Sequence, residues 1–174
     1  MPAIRNWSFG AEKMSVDSRD FRKALGCFAT GVTVVTTLNE QNAPVGVTVN
    51  AFTSVSLDPP LVAFCLGRNS ALFDVFLQAE HFVINILAAD QQGVSNHFAS
   101  RQYQTDWSEI KQAATACGVP ALAGAVAHIE CRRENVLDGG DHAILLGRVG
   151  GLYVSDEEKP LLYFRGRYGE IAPV

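Results

Sequence analysis

The stretch from Pro44 to Leu72 restricts the fold of this chain more than any other. It opens with PVGVTVNAFTSVSL, where apolar and small polar residues alternate as in a half-buried β-strand. Asp58-Pro59-Pro60 ends this strand, because two prolines interrupt strand pairing. The apolar strand LVAFCL follows and leads into the turn-rich Gly67-Arg68-Asn69-Ser70, from which Ser70 is predicted to cap a helix. The pattern therefore predicts that two strand ends and a helix start lie close together.

The polar residues of this stretch are uncharged hydrogen-bonding groups set among backbone donors. Such an inventory suits a planar heteroaromatic ring and a phosphate better than it suits acid–base hydrolysis. The residues concerned are Thr48, Asn50, Thr53, Ser54, Ser56, Asn69 and Ser70.

Motifs for several other chemistries are missing from the sequence. Gly26 and Gly31 have the spacing of a phosphate-binding P-loop, but Val32-Thr33 stand where that motif needs Lys and Ser or Thr. There is no G-x-S-x-G, no G-x-G-x-x-G and no H-E-x-x-H, so neither a serine nucleophile, a Rossmann site nor a zinc site is predicted. We therefore expect a cofactor to carry the chemistry while the protein supplies placement and electrostatics.

The rest of the chain reads as about seven short strands and three helices, which do not alternate regularly enough for a doubly wound sheet. An antiparallel barrel with peripheral helices is therefore predicted. Asp138-Gly139-Gly140 is a hairpin signal, and residues 99–120 are predicted to form a polar surface excursion. Helices are predicted from Asp17 or Ser18 to Phe28, from Ser70, and from Asp90 to Phe98; strands are predicted at Val32–Thr37, from Val45, and at Leu61–Leu66, Phe82–Leu87, Val126–Arg133, Ala143–Val149 and Leu161–Phe164.

Composition limits the remaining possibilities. With 174 residues, 48% of them hydrophobic, residues 17–174 are expected to form one domain, and residues 1–16 a poorly anchored arm. The net charge of −4 does not favour binding to nucleic acid or to an anionic membrane, since both are negatively charged. No signal peptide is apparent, and the longest apolar run, Leu61–Leu66, is far shorter than the ~20 residues needed to span a bilayer, so a cytoplasmic protein is expected. Reduced, mostly buried thiols are expected at Cys27, Cys65, Cys117 and Cys131.

The run GVTVNAFTSVSLDPPLV resembles the signature of the short-chain flavin reductases, the small reductase components of two-component monooxygenases. The order and spacing of three further motifs fit the same family: FRKALGCFATGVTVVTT at Phe21–Thr37, GDH at Gly140–His142 and YFRGRYG at Tyr163–Gly169. The resemblance implies a mainly β fold, an antiparallel Greek-key split barrel of the flavin-binding type with peripheral helices.

The same resemblance implies an NAD(P)H:flavin oxidoreductase that passes hydride from nicotinamide C4 to flavin N5 and supplies reduced flavin to a partner monooxygenase. It leaves FMN or FAD open as the flavin, and NADH or NADPH as the donor. Two alternatives also remain open: a split-barrel flavoprotein that keeps its flavin and reduces another acceptor, and a non-catalytic flavin-binding protein.

Site residues follow from the resemblance, position by position. The isoalloxazine edge is assigned to Pro44, Val45, Gly46, Val47, Thr48, Asn50 and Ala51, and the ribityl chain to Cys65, Leu66 and Gly67. The phosphate is assigned to Ser70, Ala71 and Leu72 at the helix start, with His97 and Phe98 closing over it. The nicotinamide nucleotide is assigned to His142, which positions the nicotinamide, and to Tyr163, Phe164, Arg165, Gly166, Arg167 and Tyr168.

A homodimer is expected for two reasons. Charged residues make up 18% of the chain, below the roughly 25% of an average soluble domain, which suggests that a partner subunit covers part of the surface. Related split barrels are also commonly dimers, so the resemblance implies the same assembly.

Overall fold

The computed structural model describes residues 16–102 and 104–172. The helices are α1 (Ser18–Leu25), α2 (Phe73–Gln78) and α3 (Gln92–Ala99), with a 3₁₀ turn at Ala89–Gln91. The strands are β1 (Thr30–Gly31), β2 (Thr33–Leu38), β3 (Pro44–Val49), β4 (Phe52–Leu57), β5 (Pro60–Gly67), β6 (His81–Ile86), β7 (Gln112–Ala113), β8 (Ala121–Leu122), β9 (Ala127–Gly139), β10 (His142–Val154), β11 (Leu162–Phe164) and β12 (Arg167–Gly169).

Seven strands form one antiparallel sheet in the order β3-β2-β6-β9-β10-β5-β4. Its two edge strands, β3 and β4, are consecutive in the chain and are joined only by Asn50 and Ala51. From Val49 to Phe52 the chain makes three Cα steps, which span at most about 11 Å, so the sheet must curl until its edges nearly meet. A hydrogen bond from Cys65 N to Ala51 O (3.0 Å) fixes this link beside β5. The result is an antiparallel split barrel with peripheral helices, which confirms the predicted fold class.

The barrel interior is filled by the inward faces of these strands. Val35, Phe64, Phe82, Ile84 and Leu145 are fully or almost fully buried in one cluster. The Phe64 and Phe82 rings meet edge to face at 5.3 Å, an arrangement that aromatic pairs favour. Burial of this aliphatic and aromatic surface is the main stabilising term for the barrel.

A second apolar cluster lies outside the barrel, where β1, β11 and β12 form a small sheet of their own. Phe98 of α3 is completely buried in it and packs on Trp107 with ring centroids 5.1 Å apart. Tyr163 and Tyr168 contact the same cluster. This cluster therefore fixes α3 against the barrel wall.

Several predicted elements are confirmed, and three details were wrong. Strands were predicted within β2, β5, β6, β9 and β10, and helix α1 begins after Asp17, whose side chain accepts hydrogen bonds from Arg19 N and Asp20 N. However, the stretch before Asp58 is two strands, because Asn50 and Ala51 leave the ladder where the chain crosses the gap. Ser70 does not cap α2, which begins after Leu72 with no side-chain cap, and Asp90 lies inside a 3₁₀ turn instead of capping α3.

Two expectations about burial also need correction. Residues 99–120 were predicted as a polar surface excursion, yet Gln104 and Val119 are buried. Of the four cysteines, only Cys131 is buried, whereas Cys27 is exposed and Cys65 and Cys117 are intermediate.

The predicted N-terminal arm lies outside the described residues except for Val16, which is exposed. Within residues 16–102 and 104–172, no helix has the length and apolarity to cross a membrane.

Candidate active site

A cleft of about 350 Å³ opens where the barrel is split. Its walls come from the end of β3, the link to β4, the end of β5, the turn after β5, the loop after α3, and the first residue of β10. It is lined by Val47, Thr48, Val49, Asn50, Ala51, Cys65, Leu66, Gly67, Asn69, Ser70, Ala99, Arg101, Gln104 and His142.

The outer edge of β3 presents backbone donors to this cleft. Gly46 N donates to Gln104 O (3.0 Å), so the Gly46 N–H points away from the neighbouring strand β2. Because backbone groups two residues apart in a strand point to the same side, the N–H of Thr48 also faces away from β2. The Thr48 hydroxyl donates to Ser95 O (2.7 Å), which holds α3 against this edge. The edge can therefore bind a polar ring edge through main-chain atoms.

One end of the cleft carries Arg101, which is the only arginine among its described lining residues. Arg101 donates from Nη2 to Asn69 O, and Ser70 Oγ accepts a hydrogen bond from Leu72 N (3.2 Å). No carboxylate occurs among the described residues that line the cleft. An arginine without a neighbouring carboxylate, next to hydroxyl and amide groups, suits a phosphate.

Gln104 supplies an unsatisfied polar atom at the same end. Its side chain is 5% exposed, and Nε2 donates to Phe98 O (3.3 Å). Its Oε1 is buried and accepts no hydrogen bond. An unpaired buried acceptor is rare in a folded protein, and Oε1 is shielded by the protein itself, so it lies behind the cleft surface.

His142 stands at the rim, directly after the Gly140-Asp141 turn of the β9–β10 hairpin. Its Nδ1–H donates to Asp141 Oδ1 (2.7 Å), and this hydrogen bond, with the charge of His142 and more weakly that of Arg22, lowers the pKa of the Asp141 carboxyl. The pairing leaves Nε2, which lies close to Gly67, as the ring nitrogen available to a ligand.

The thiol of Cys65 is partly buried in the wall, and this burial raises its pKa, so the thiol stays neutral at pH 7. Across the described part of the chain, no group of three or more His, Cys, Asp or Glu residues is arranged to hold a metal ion. The cleft is therefore a polar, nearly uncharged site with one cation.

Nine of the residues predicted for the flavin or nicotinamide meet in this cleft: Val47, Thr48, Asn50, Ala51, Cys65, Leu66, Gly67, Ser70 and His142. Others lie outside it. Gly46 and Phe98 form the packing behind the cleft wall, and His97 binds Asp106 O through Nε2 (2.7 Å). Val45 and Leu72 line a separate groove, and Pro44 and Ala71 line neither.

Sequence reasoning missed Val49, Asn69, Ala99, Arg101 and Gln104 as cleft residues. Asn69 carried a signal, since it belongs to the run of neutral polar groups before α2. Arg101 and Gln104 carried none, because they lie in a segment without periodicity that was predicted to be surface.

The predicted nicotinamide-nucleotide residues near the C-terminus are split between two places. Tyr163 and Tyr168 pack on each other at 5.4 Å, and the Tyr168 hydroxyl donates to Asn96 Oδ1 (2.9 Å). Arg165 and Gly166 instead line a groove of about 610 Å³ beside α1, together with Arg19, Arg22, Lys23, Gly26 and Cys27. Phe164 and Arg167 are exposed.

Comparisons with known proteins agree with the fold. The family model described as "Flavin reductase like domain" matches residues 25–172. The reductase subunit HsaB of a flavin-dependent monooxygenase from Rhodococcus jostii is 41% identical over 163 residues, which cover 91% of this chain and 80% of that protein. The FMN reductase (NADH) SmoA of Agrobacterium fabrum is 43% identical over 159 residues, covering 90% and 87%. The solved structure of the NADH:FAD oxidoreductase SgcE6 of Streptomyces globisporus with NAD and FAD fragments has a TM-score of 0.84 at 36% identity, covering 91% of this chain and 97% of that one.

Proposed function

Because the chain belongs to the family of flavin reductase like domains, we propose that it is an NAD(P)H:flavin oxidoreductase that supplies reduced flavin to a partner monooxygenase. The observation that carries this proposal is the cleft, which combines backbone donors on the edge of β3, the Arg101 cation and a histidine at its rim. No acid–base pair is needed for hydride transfer, which agrees with the lack of carboxylates among the described residues that line the cleft.

The cleft residues fit a flavin in one direction. The Thr48 N–H and the Asn50 amide bind the edge of the isoalloxazine, where fixed donors stabilise negative charge that develops on reduction. The Cys65–Gly67 strand end would follow the ribityl chain, and Ser70 and Arg101 would hold the phosphate. When bound, the flavin supplies the hydride-accepting ring, which no side chain can replace.

The nicotinamide nucleotide is proposed to enter from the His142 side. Asp141 keeps the proton on His142 Nδ1, so Nε2 contacts and orients the nicotinamide carboxamide. The groove beside α1, which Arg22 and Arg165 line, is proposed to take the rest of the dinucleotide. The four cations of that groove suit the pyrophosphate of the dinucleotide.

The first prediction tests the activity and the role of His142 together. The wild-type protein is expected to oxidise NADH or NADPH only when FMN or FAD is added, because the flavin is a substrate. His142→Ala is expected to raise the KM for the nicotinamide nucleotide about tenfold, a loss of about 1.4 kcal/mol, and to leave the flavin Kd within about twofold. Steady-state kinetics and flavin-fluorescence titration measure both quantities.

His142→Gln is the matched control, since it keeps a hydrogen-bonding group at this position and is expected to retain part of the nucleotide affinity. A flavin Kd that changes while the nucleotide KM does not would contradict the role given to His142. Absence of flavin-dependent NAD(P)H consumption would contradict the enzyme and favour a flavin-binding protein. Flavin that stays bound through gel filtration would favour a flavoprotein acting on another acceptor.

We also propose that the protein is a homodimer, since large apolar side chains remain exposed on its surface. Phe28 is 76% and Leu57 93% exposed, and Phe21 and Leu25 of α1 are more than half exposed. Helix α1 buries none of its residues in the chain itself, although its apolar residues lie on one face. Leu152, Tyr153 and Val154 at the end of β10 add to this surface. Exposed apolar surface of this kind marks an interface.

The second prediction concerns this assembly. Sedimentation equilibrium at low micromolar concentration is expected to give twice the chain mass of 18.8 kDa. Leu57→Glu is expected to raise the dimer dissociation constant at least about tenfold, because a charge in an apolar interface is costly to desolvate.

The control for assembly is Gln92→Glu, at an exposed position on α3 that is not one of these apolar residues, and it should leave the dimer intact. A wild-type monomer that binds flavin and turns over NADH would refute the dimer.

Residues 17–174 are proposed to form a single domain, in line with the family match over residues 25–172. We place the enzyme in the cytoplasm, where its nicotinamide donor is regenerated.

A further inference from the structure

Arg68 joins the turn after β5 to the tip of the β9–β10 hairpin. Its Nε donates to Gly140 O (2.8 Å), and its Nη2 donates to Asp138 Oδ1. The Arg68 backbone N–H also donates to Asp141 O (2.9 Å). Arg68 therefore bonds to three of the four residues that precede His142 in the chain. The two side-chain contacts, to Gly140 O and Asp138 Oδ1, are called the hairpin clamp below.

The position of Arg68 in the chain places the hairpin clamp beside the cleft. Its two neighbours, Gly67 and Asn69, both line the cleft. Gly67 is also paired with His142 in the β5–β10 ladder, and a Cβ at Gly67 would lie 3.6 Å from His142 Nε2. The clamp thus connects the cleft wall to the segment that carries the rim histidine.

The guanidinium of Arg68 is held from the other side as well. It lies over the ring of Phe73, the first residue of α2, with the guanidinium carbon 5.6 Å from the ring centroid. Phe73 packs against the barrel core, so this ring is a firm support for the cation. The planar fork of an arginine that bonds two acceptors fixes their orientation in addition to their distance. The clamp therefore fixes the hairpin tip relative to both β5 and α2.

The exposure of the clamp argues for a role in placement and against a role in stability. The side chains of Arg68 and Asp138 are 47% and 78% exposed, and ion pairs this exposed contribute little to the free energy of unfolding. The turn itself contains Gly139 and Gly140, and Gly140 has a φ of +76°. Because glycine restricts the backbone least, a turn built on two glycines depends on outside contacts to hold one position.

We propose that Arg68 is a positioning residue for the nicotinamide step, which acts through His142 by holding the β9–β10 turn beside the cleft. The inference rests on the proposed flavin reductase function, in which the nicotinamide and flavin rings must come within about 3–3.5 Å of each other. A turn that moves away from β5 carries His142 with it and leaves the other cleft residues in place. Loss of the clamp therefore affects the nicotinamide nucleotide and spares the flavin.

The test is a double-mutant cycle between Arg68 and His142, read as the KM for the nicotinamide nucleotide. Arg68→Ala is expected to raise this KM about fivefold and to leave the flavin Kd within about twofold. The effect is smaller than that of His142→Ala because the Arg68 backbone bond to Asp141 O remains. In a His142→Ala background, Arg68→Ala is expected to change the KM by less than about twofold, since the residue through which it acts is gone.

Two further variants separate placement from direct binding of the nucleotide by the Arg68 charge. Arg68→Lys keeps the charge but loses the fork, so it is expected to recover only part of the wild-type KM. Asp138→Asn weakens the clamp and leaves Arg68 in place, so it is expected to raise the KM about twofold, because an amide accepts a weaker hydrogen bond than a carboxylate. If Arg68 bound a phosphate of the nucleotide directly, removal of this neighbouring carboxylate would lower the KM instead.

Arg148→Ala is the matched control. Arg148 donates from Nε (2.9 Å) and Nη2 (2.7 Å) to the carboxylate of Glu134, so this exposed ion pair joins β9 to β10 without reaching β5. Its loss is expected to leave the nucleotide KM within about twofold of wild type. Urea denaturation of each variant shows whether the fold is kept.

Four results would overturn the positioning role: an unchanged KM in Arg68→Ala, an equal rise in Arg148→Ala, a lower KM in Asp138→Asn, or effects of Arg68→Ala and His142→Ala that multiply in the double variant. A flavin Kd that rises with the KM would overturn it too, by assigning Arg68 to the flavin wall. A wild-type protein without flavin-dependent NAD(P)H oxidation would instead refute the proposed function, and this inference with it.

Discussion

Arg101→Ala is expected to weaken FMN binding about 30-fold, equivalent to about 2 kcal/mol. Among the described residues that line the cleft, Arg101 is the only lysine or arginine and none is acidic, so no lining carboxylate in that set neutralises its charge. A guanidinium binds a phosphate through two parallel charge-assisted hydrogen bonds, which are about twice as strong as neutral ones. Flavin-fluorescence titration of wild-type and variant proteins measures the effect.

Riboflavin is the matched control ligand for Arg101, because it lacks the phosphate. The wild-type protein is expected to bind riboflavin more weakly than FMN or FAD, and Arg101→Ala is expected to leave riboflavin affinity nearly unchanged. Arg101→Lys keeps the charge but loses the planar fork, so it should recover only part of the FMN affinity. A variant that loses FMN and riboflavin affinity by the same factor would show that Arg101 supports the loop and not the phosphate.

Gly46→Ala is expected to lower the free energy of unfolding by about 2–3 kcal/mol. A methyl group at Gly46 would lie 2.8 Å from two carbon atoms of the Phe98 ring, and Phe98 is fully buried against Trp107. The ring therefore cannot move without disturbing the second apolar cluster. Urea denaturation monitored by circular dichroism measures the loss, and flavin affinity should fall with it because Gly46 N also holds the Gln104 loop.

Gly93→Ala is the opposite control on the facing helix. Nothing lies within 4 Å of a methyl group there, and Gly93 is inside α3 with an ordinary helical conformation. Alanine is expected to stabilise the protein by about 0.5–1 kcal/mol, since glycine weakens a helix interior. If Gly46→Ala lowered the free energy of unfolding no more than Gly93→Ala, the close contact described between Gly46 and the Phe98 ring would be refuted.

The elements with regular patterns could be predicted from the sequence. The β-branched run in β2 and the apolar run in β5 each predict a strand, because such side chains suit a pleated, buried surface. The break at Asn50-Ala51 could not be read from the pattern, since both residues continue the alternation. It arises because β3 and β4 pair with different neighbours at opposite edges of the sheet, which is a property of the whole barrel.

The site was predictable where it lies within one continuous stretch. Thr48, Asn50, Cys65 and Ser70 come from the motif around the cleft, and the structure brings them together. Arg101 and Gln104 reach the cleft only because α3 packs on β3 through Thr48 and Phe98. A residue placed by tertiary packing leaves no local periodicity, so sequence patterns could not identify it.

The exposed apolar face of α1 shows what hydrophobic periodicity alone cannot predict. The spacing of its apolar residues predicted an amphipathic helix as far as Phe28, whereas α1 ends at Leu25, and the spacing did not predict what the apolar face would contact. Phe21 and Leu25 remain exposed in the single chain. Hydrophobic periodicity predicts that one face of a helix is buried, but it does not identify the surface that buries it.

The open edge of β3 has a consequence for solubility. An edge strand with unpaired N–H groups is a template on which another chain can add a strand and begin aggregation. Here the Gln104 carbonyl occupies the edge at Gly46, and Thr48, two residues further on, faces the cleft. The ligand that the cleft is proposed to hold would therefore also cover the Thr48 N–H, which the Gln104 loop leaves unpaired, and would prevent another strand from pairing there. A protein that hands its reduced flavin to another enzyme uncovers that edge once in every catalytic cycle.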